Sequence, residues 1–336
     1  MTRPLASVIV LATSISVARP GYADPAPSSG ALPSAPSPPA PAAALPAAPA
    51  VVPSSRPAGP AGPAGPAEPE ALYSQGTALA LVGGTWGAAS LYAYFAWFRN
   101  ESRTTHPIYT LEGFGVNTYA GGADKLGHFW AGHMFSYLTT EALVHGGYRT
   151  WPASLVGLGL SQLFGTISEY KDSLHYQFEF GDIIANCSGA LFNVLLENWP
   201  ALDRLIDLRL DYWPTTEYLR LLRHGNIDGA QDYSGQSYLF AVHLRAVPGL
   251  DSPWLGWTRY VDAVVGFETR NYAPMPDDPN AIRRQVLYGG FAIDMQAVLA
   301  AVFPDSTGRR VGHGVLEFVS VPFTTLRLGE LSRSPR

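Results

Sequence analysis

A single cysteine in 336 residues, Cys187, leaves no partner for an intramolecular disulfide. An exported chain with one thiol must hold together by packing or by lipid. Charge is scarce as well. Asp, Glu, Lys and Arg make up 15% of the residues, against ~25% in soluble globular proteins. The net charge of −5 supplies no basic face, which excludes nucleic acid as a partner. No arginine pair precedes the N-terminal apolar run, so a twin-arginine signal is excluded. No cysteine stands near the expected cleavage point, so a lipoprotein anchor is not expected either.

What is present begins with a leader. Met1-Thr2-Arg3, an apolar run from Leu5 to Val17 and the small residues Gly21 and Ala23 read as a secretory signal over residues 1–23. Residues 24–71 form a Pro/Ala-rich linker. They hold 15 of the 29 prolines, with too little bulky apolar surface to offset the entropy of folding. Residues 72–200 then alternate apolar runs with short polar clusters. Thr77 to Phe98 is 22 residues without a charge and ends in aromatics, the length and ending of a membrane-spanning helix. Helical runs follow at Lys125–Val144, Trp151–Ser168 and Ile183–Leu196, joined by short connections that make neighbours antiparallel.

That alternation places one chemistry-bearing group. In consecutive antiparallel helices, the start of one, the end of the next and the start of the third share one end of the bundle. Asp124, Lys125 and His128 open the second run, Glu169 and Asp172 close the third, and Asp182 and Asn186 open the fourth. Spacings of four (Asp124–His128, Asp182–Asn186) and three (Glu169–Asp172) keep each pair on one helix face. Ionisable groups are costly in apolar surroundings, so their gathering is by default a functional-site hypothesis. Asp124, His128, Glu169, Asp172 and Asp182 are the candidate catalytic groups. Lys125, as an anion contact, and Asn186 are the candidate substrate contacts. Lys125 and Lys171 inside the motif, and the lack of a second histidine on the His128 face, argue against a tightly bound metal. No cofactor is expected.

These residues carry a resemblance. Asp124-Lys125-Leu126-Gly127-His128-Phe129, Glu169-x-x-Asp172 and Phe180-Gly181-Asp182-Ile183-Ile184-Ala185-Asn186-Cys187-Ser188-Gly189 resemble the YfiM-like family of uncharacterised bacterial envelope proteins. They are more distantly similar to the VanZ-like family. The resemblance covers residues 72–200, and Asp232 to Tyr238 resembles longer YfiM-like members. It implies an envelope location and no particular reaction. The lipoprotein anchoring of some YfiM-like members does not carry over to a chain without the cysteine.

Residues 201–336 change in texture. Arg204, Asp207, Arg209 and Asp211 read as a charged amphipathic helix, and Tyr218–Arg223 as a second short one. Gln236–Leu244 and Val286–Met295 have strand periodicity, the latter with a bulge expected at Gly289-Gly290. Val261–Phe267 and Gly314–Phe323 fit either strand or helix. The expectation is thus a mainly α protein: a membrane-associated bundle of about four apolar helices, followed by a small α+β region. It would be exported to the cell envelope, the inner membrane favoured over the outer. Two functions stand side by side. In one the cluster binds or acts on a membrane lipid or lipid-linked envelope component, as a membrane-embedded hydrolase if it is an enzyme. In the other it is a non-catalytic structural device that fixes helix packing.

Overall fold

The computed structural model describes residues 71–98, 109–174, 177–223, 231–250, 253–276, 278, 280–303, 312 and 314–335. The expected leader, and all of the expected linker but Ala71, lie outside the described residues. Helix α1 (Gln75–Ala93) starts where the Ser74 hydroxyl accepts the Thr77 amide at 3.2 Å, and it runs into a π-turn over Tyr94–Phe98. Trp86 pins it to the bundle, edge-on to Phe135 and Phe164, with its indole N–H donating to Thr139 Oγ1 at 3.0 Å.

Three longer helices follow: α2 (Ala123–Val144), α3 (Thr150–Asp172) and α4 (Phe180–Asn198). They pack through small residues. A Cβ placed on Gly189 of α4 would lie 1.9 Å from the Phe129 carbonyl of α2, and one on Gly132 of α2 would lie 2.3 Å from the Asn186 carbonyl of α4. Only glycine lets these two backbones meet. Strands β1 (Tyr109–Thr110) and β2 (Phe178–Glu179) pair in parallel, tying the segment before α2 to the start of α4.

The expected membrane-spanning bundle is not found. No helix among the described residues is long and apolar enough to cross a membrane. The reason lies in composition. The uncharged run from Thr77 is diluted by Gly83, Gly84, Thr85, Gly87 and Ser90, and α3 carries Ser154, Ser161, Gln162, Thr166 and Ser168. Absence of charge is not the same as high hydropathy.

The expected mainly α class is corrected as well. The C-terminal part holds a six-stranded sheet in the order β7-β3-β4-β5-β6-β8, which makes the whole an α+β fold. Its strands are β3 (Ile206–Tyr212), β4 (Gln236–His243), β5 (Val261–Arg270), β6 (Arg284–Ile293), β7 (Val319–Ser320) and β8 (Thr325–Arg333). All pair antiparallel except β3 with β7, and the β6–β8 register shifts at Gly289/Gly290, where the bulge was expected. The segment read as a charged helix is β3. Asp207 and Arg209, two apart, share one face of the sheet, where charge is buried rather than solvated. There Arg209 Nη1 donates to Asp262 at 2.9 Å and its Nε to Asp207 at 3.1 Å, while His243 lies 2.8 Å from Asp262 and 3.0 Å from Asp207.

The opposite sheet face meets the helices. Phe240 packs on Phe192 of α4, the Tyr238 hydroxyl abuts Gly127 of α2, and Phe267 sits edge-on to Phe114. Phe318, just before β7, is fully buried between His133 and Tyr137, and its carbonyl accepts the Trp130 indole N–H at 2.9 Å.

Candidate functional site

Asp124 sits in the first turn of α2, Asp182 in the first turn of α4 and Glu169 in the last turn of α3. Helix N-termini favour the two aspartates as anions, while the C-terminal end of α3 works against a charge on Glu169. All three turn toward His128. Its Nε2 lies 3.6 Å from Asp124 Oδ1, 3.7 Å from Asp182 Oδ2 and 3.8 Å from Glu169 Oε1. None of these is close enough for a hydrogen bond. Asp182 and Glu169 are buried, at 4% and 2% exposure, whereas the His128 side chain is 25% and the Asp124 side chain 15% exposed.

Each carboxylate is held by its other oxygen. Lys125 Nζ lies 2.8 Å from Asp124 Oδ2 and 2.7 Å from Asp182 Oδ1, and the Glu179 amide donates to Glu169 Oε2 at 3.3 Å. Lys125 also donates to Glu179 at 2.7 Å, so three carboxylates crowd around its one ammonium group. Asn186 lies one turn beyond Asp182, with Nδ2 3.1 Å from His128 Nδ1. Its amide rests against Gly165 of α3, where a Cβ would come within 2.7 Å.

Crowding sets the proton positions. Burial, then the Asp172 charge, pushes Glu169 up to about 8. Burial and the Asp124 charge push Asp182 well up, against the pull of Lys125. Asp124 goes the other way. Burial opposes its charge, but His128 and Lys125, together with hydrogen bonds from Lys125 and Tyr233, hold it below the ordinary aspartate range. Asp124 is thus the carboxylate most strongly held as an anion, while Glu169 and Asp182 are drawn toward their protonated forms, a division of environments that suits acid–base work.

Six of the seven residues singled out in the sequence thus surround one point: Asp124, Lys125, His128, Glu169, Asp182 and Asn186. Asp172 stands apart. It pairs with Lys171 at 2.7 Å and reaches the centre only through its charge on Glu169. Of the other histidines, His133 is buried between Phe192 and Phe318, away from the centre. His106, His175, His224 and His313 lie outside the described residues.

Residue-type reasoning missed three neighbours. The Tyr233 hydroxyl donates to Asp124 Oδ1 at 2.7 Å from a turn just before β4. Glu179 ties Lys125 to the start of α4. Glu112 is raised by burial and by Glu179, which marks it as a further acid at the margin. The only available signal for Tyr233 was its place in the Asp232–Tyr238 stretch, and for Glu179 its position three residues before Asp182.

No curated protein and no solved structure matches the chain. Neither the YfiM-like nor the VanZ-like resemblance is part of the family match that was found. Residues 112–198, which contain the whole centre except Tyr233, match the model of a family described as "Predicted periplasmic lipoprotein (DUF2279)", so over this stretch the chain is similar to an uncharacterised family of the bacterial envelope.

Proposed function

We propose that this chain is an exported envelope protein that binds the polar head of a lipid or lipid-linked envelope component and acts on it through the His128 centre. Glu169 serves as the proton-holding acid and Asp124 as the ionised partner. One observation carries the reading: three carboxylates and an imidazole from three helices converge on a single solvent-reaching point, beside exposed aromatics. Tyr109, Phe178 and Phe180 form a mutual ring cluster, with centroids 5.3–5.9 Å apart, around Glu179 and just before Asp182. Tyr109, Leu111 and Phe180 are exposed. A polar cluster next to exposed apolar side chains matches an amphiphile, head on the cluster and chain on the apolar surface.

The test titrates the full chain with short-chain phosphatidylglycerol and phosphatidylethanolamine below their micellar concentrations. Binding is followed by calorimetry and release of soluble head product by chromatography. Saturable binding of at least one lipid, weakened about tenfold or more in a folded Asp124→Asn variant, is expected. That loss corresponds to roughly 1.4 kcal/mol of binding free energy. No saturable binding, or binding undiminished in the variant, sinks the proposal. If Asp124→Asn instead abolishes accumulation while the wild type binds neither lipid, the cluster is a structural device.

A further inference from the structure

The space in front of His128 Nε2 has a more specific chemistry than a general polar pocket. Three carboxylate oxygens, one from each of three helices, stand 3.6–3.8 Å from this one nitrogen. The donor atoms of Asp124, His128 and Asp182 all lie within 4.8 Å of one another. Around a tetrahedral ion with ligand bonds of about 2.0–2.1 Å, neighbouring donors sit about 3.4 Å apart. The distances from His128 to the carboxylate oxygens are therefore within a few tenths of an ångström of that spacing. Glu169 Oε1 and Asp182 Oδ2 belong to side chains more than nine-tenths buried, and among the described residues neither oxygen has a hydrogen-bond partner. Both point at the same place.

The outer contacts are those of a supported ion site. Each carboxylate has one oxygen near Lys125 or the Glu179 amide and turns the other toward His128, the one on Asp124 also accepting from Tyr233. Asn186 fixes the imidazole through Nδ1. Asn186 Nδ2 faces His128 Nδ1 here, and a half-turn of the amide on metal binding would present Oδ1 to an Nδ1 proton and free the Nε2 lone pair for the ion. The sheet holds a contrasting group. His243, Asp262 and Asp294 also lie close together, but both His243 nitrogens are already hydrogen-bonded to Asp262 and Asp207, and Arg209 supplies the neutralising charge. That set is closed, whereas the His128 set is open.

We infer that Asp124, His128 and Asp182 bind one divalent first-row metal ion, zinc or manganese, at one end of the helix bundle, with Glu169 beside it as the acid. One imidazole with carboxylates is a ligand set for borderline-to-hard cations. The partial exposure of His128 leaves a position for solvent or a substrate oxygen. This reverses the expectation drawn from Lys125 and Lys171. Lys125 sits behind the carboxylates as an anchor, and Lys171 is occupied by Asp172. The inference rests on the same centre as the proposed function but needs no lipid to be tested.

The full chain, purified without chelator and then dialysed against zinc or manganese, is assayed for bound metal by plasma mass spectrometry. About one equivalent is expected. It should fall below a tenth in His128→Gln and in Asp182→Asn, and stay unchanged in Lys171→Ala. Because the first two variants risk misfolding, cobalt is also titrated into the wild type. A visible absorption band that saturates at one equivalent and is displaced by zinc is expected, with one histidine Nε2 resonance moving in the nitrogen NMR spectrum. Less than a tenth of an equivalent in the reconstituted wild type overturns the inference. So does metal retained in folded His128→Gln. Metal binding without lipid binding leaves this site standing and removes the lipid reading, and lipid binding by a metal-free chain does the reverse.

Discussion

Replacing Gly189 with alanine tests the packing that creates the site. The added Cβ would sit 1.9 Å from the Phe129 carbonyl and 3.0 Å from the His133 amide nitrogen, both backbone atoms of α2. Relief to an ordinary contact of about 3.4 Å requires α2 and α4 to part by roughly 1.5 Å. Overpacking of this kind costs about 1–3 kcal/mol, even though alanine is the better helix former. For a chain of this size that means a Tm lower by roughly 2–12 °C. The same separation would stretch the 3.1 Å Asn186–His128 contact beyond hydrogen-bonding range, since Asn186 is one turn from Gly189 on α4. A matched control exists in α3. A Cβ on Gly159 meets nothing within 4 Å, so Gly159→Ala should be neutral or stabilising by up to ~1 kcal/mol. Thermal unfolding of both variants by circular dichroism decides the matter. If the two shift Tm equally, or Gly189→Ala melts no lower than the wild type, the glycine contact does not hold α2 against α4.

Three further outcomes follow from the geometry. Arg209→Met leaves Asp207 and Asp262 buried with only His243 between them, and urea unfolding should show a loss of about 3–5 kcal/mol, a loss under ~1 kcal/mol refuting the network. Burial opposes the charge on His243, but hydrogen bonds to Asp207 and Asp262 and the nearby Asp294 carboxylate outweigh it and raise the group to about 11. A group raised on folding stabilises fully below its unfolded value near 6.5 and loses that contribution as pH rises toward the folded value. The wild-type advantage over His243→Gln should therefore shrink between about pH 6 and about pH 9, by at most ~1.4 kcal/mol per pH unit, and a growing advantage would contradict the assignment. Tyr233→Phe removes a hydrogen bond to an ionised carboxylate and should weaken zinc binding about 10- to 100-fold in calorimetry with the fold intact, whereas unchanged affinity would show that the phenol does not support the centre.

The helices and their convergence were legible because local signals coincide there. Asp124 and Asp182 mark helix starts, Glu169 marks a helix end, and the connections between them are short enough to leave one topology. The membrane expectation failed because counting charges ignores glycine and hydroxyl groups, which lower hydropathy without adding charge. Strand β3 was unreadable for a different reason. Asp207 and Arg209 follow strand period, but charged residues are ordinarily taken to face water, so the pattern passed for a solvated helix. Only the cross-strand partners His243 and Asp262, distant in sequence, make those charges tolerable inside. Tyr233 escaped for the same reason: its meaning depends on a contact 109 residues away.

The stretch that resembles other envelope proteins ends at residue 198, yet the chain does not come apart there. Gln285 donates to the Phe114 and Gly121 carbonyls, Tyr272 to the Val116 carbonyl, Trp130 to the Phe318 carbonyl and Tyr233 to Asp124. An expression fragment cut to residues 112–198 would lose all of these bonds at once. The loop leading into α2 would lose the side chains that fix its path, and Asp124 would lose its phenol donor. Recurrence and cohesion thus draw different borders on this molecule, and only the longer piece is a unit that can be handled, assayed or transplanted intact.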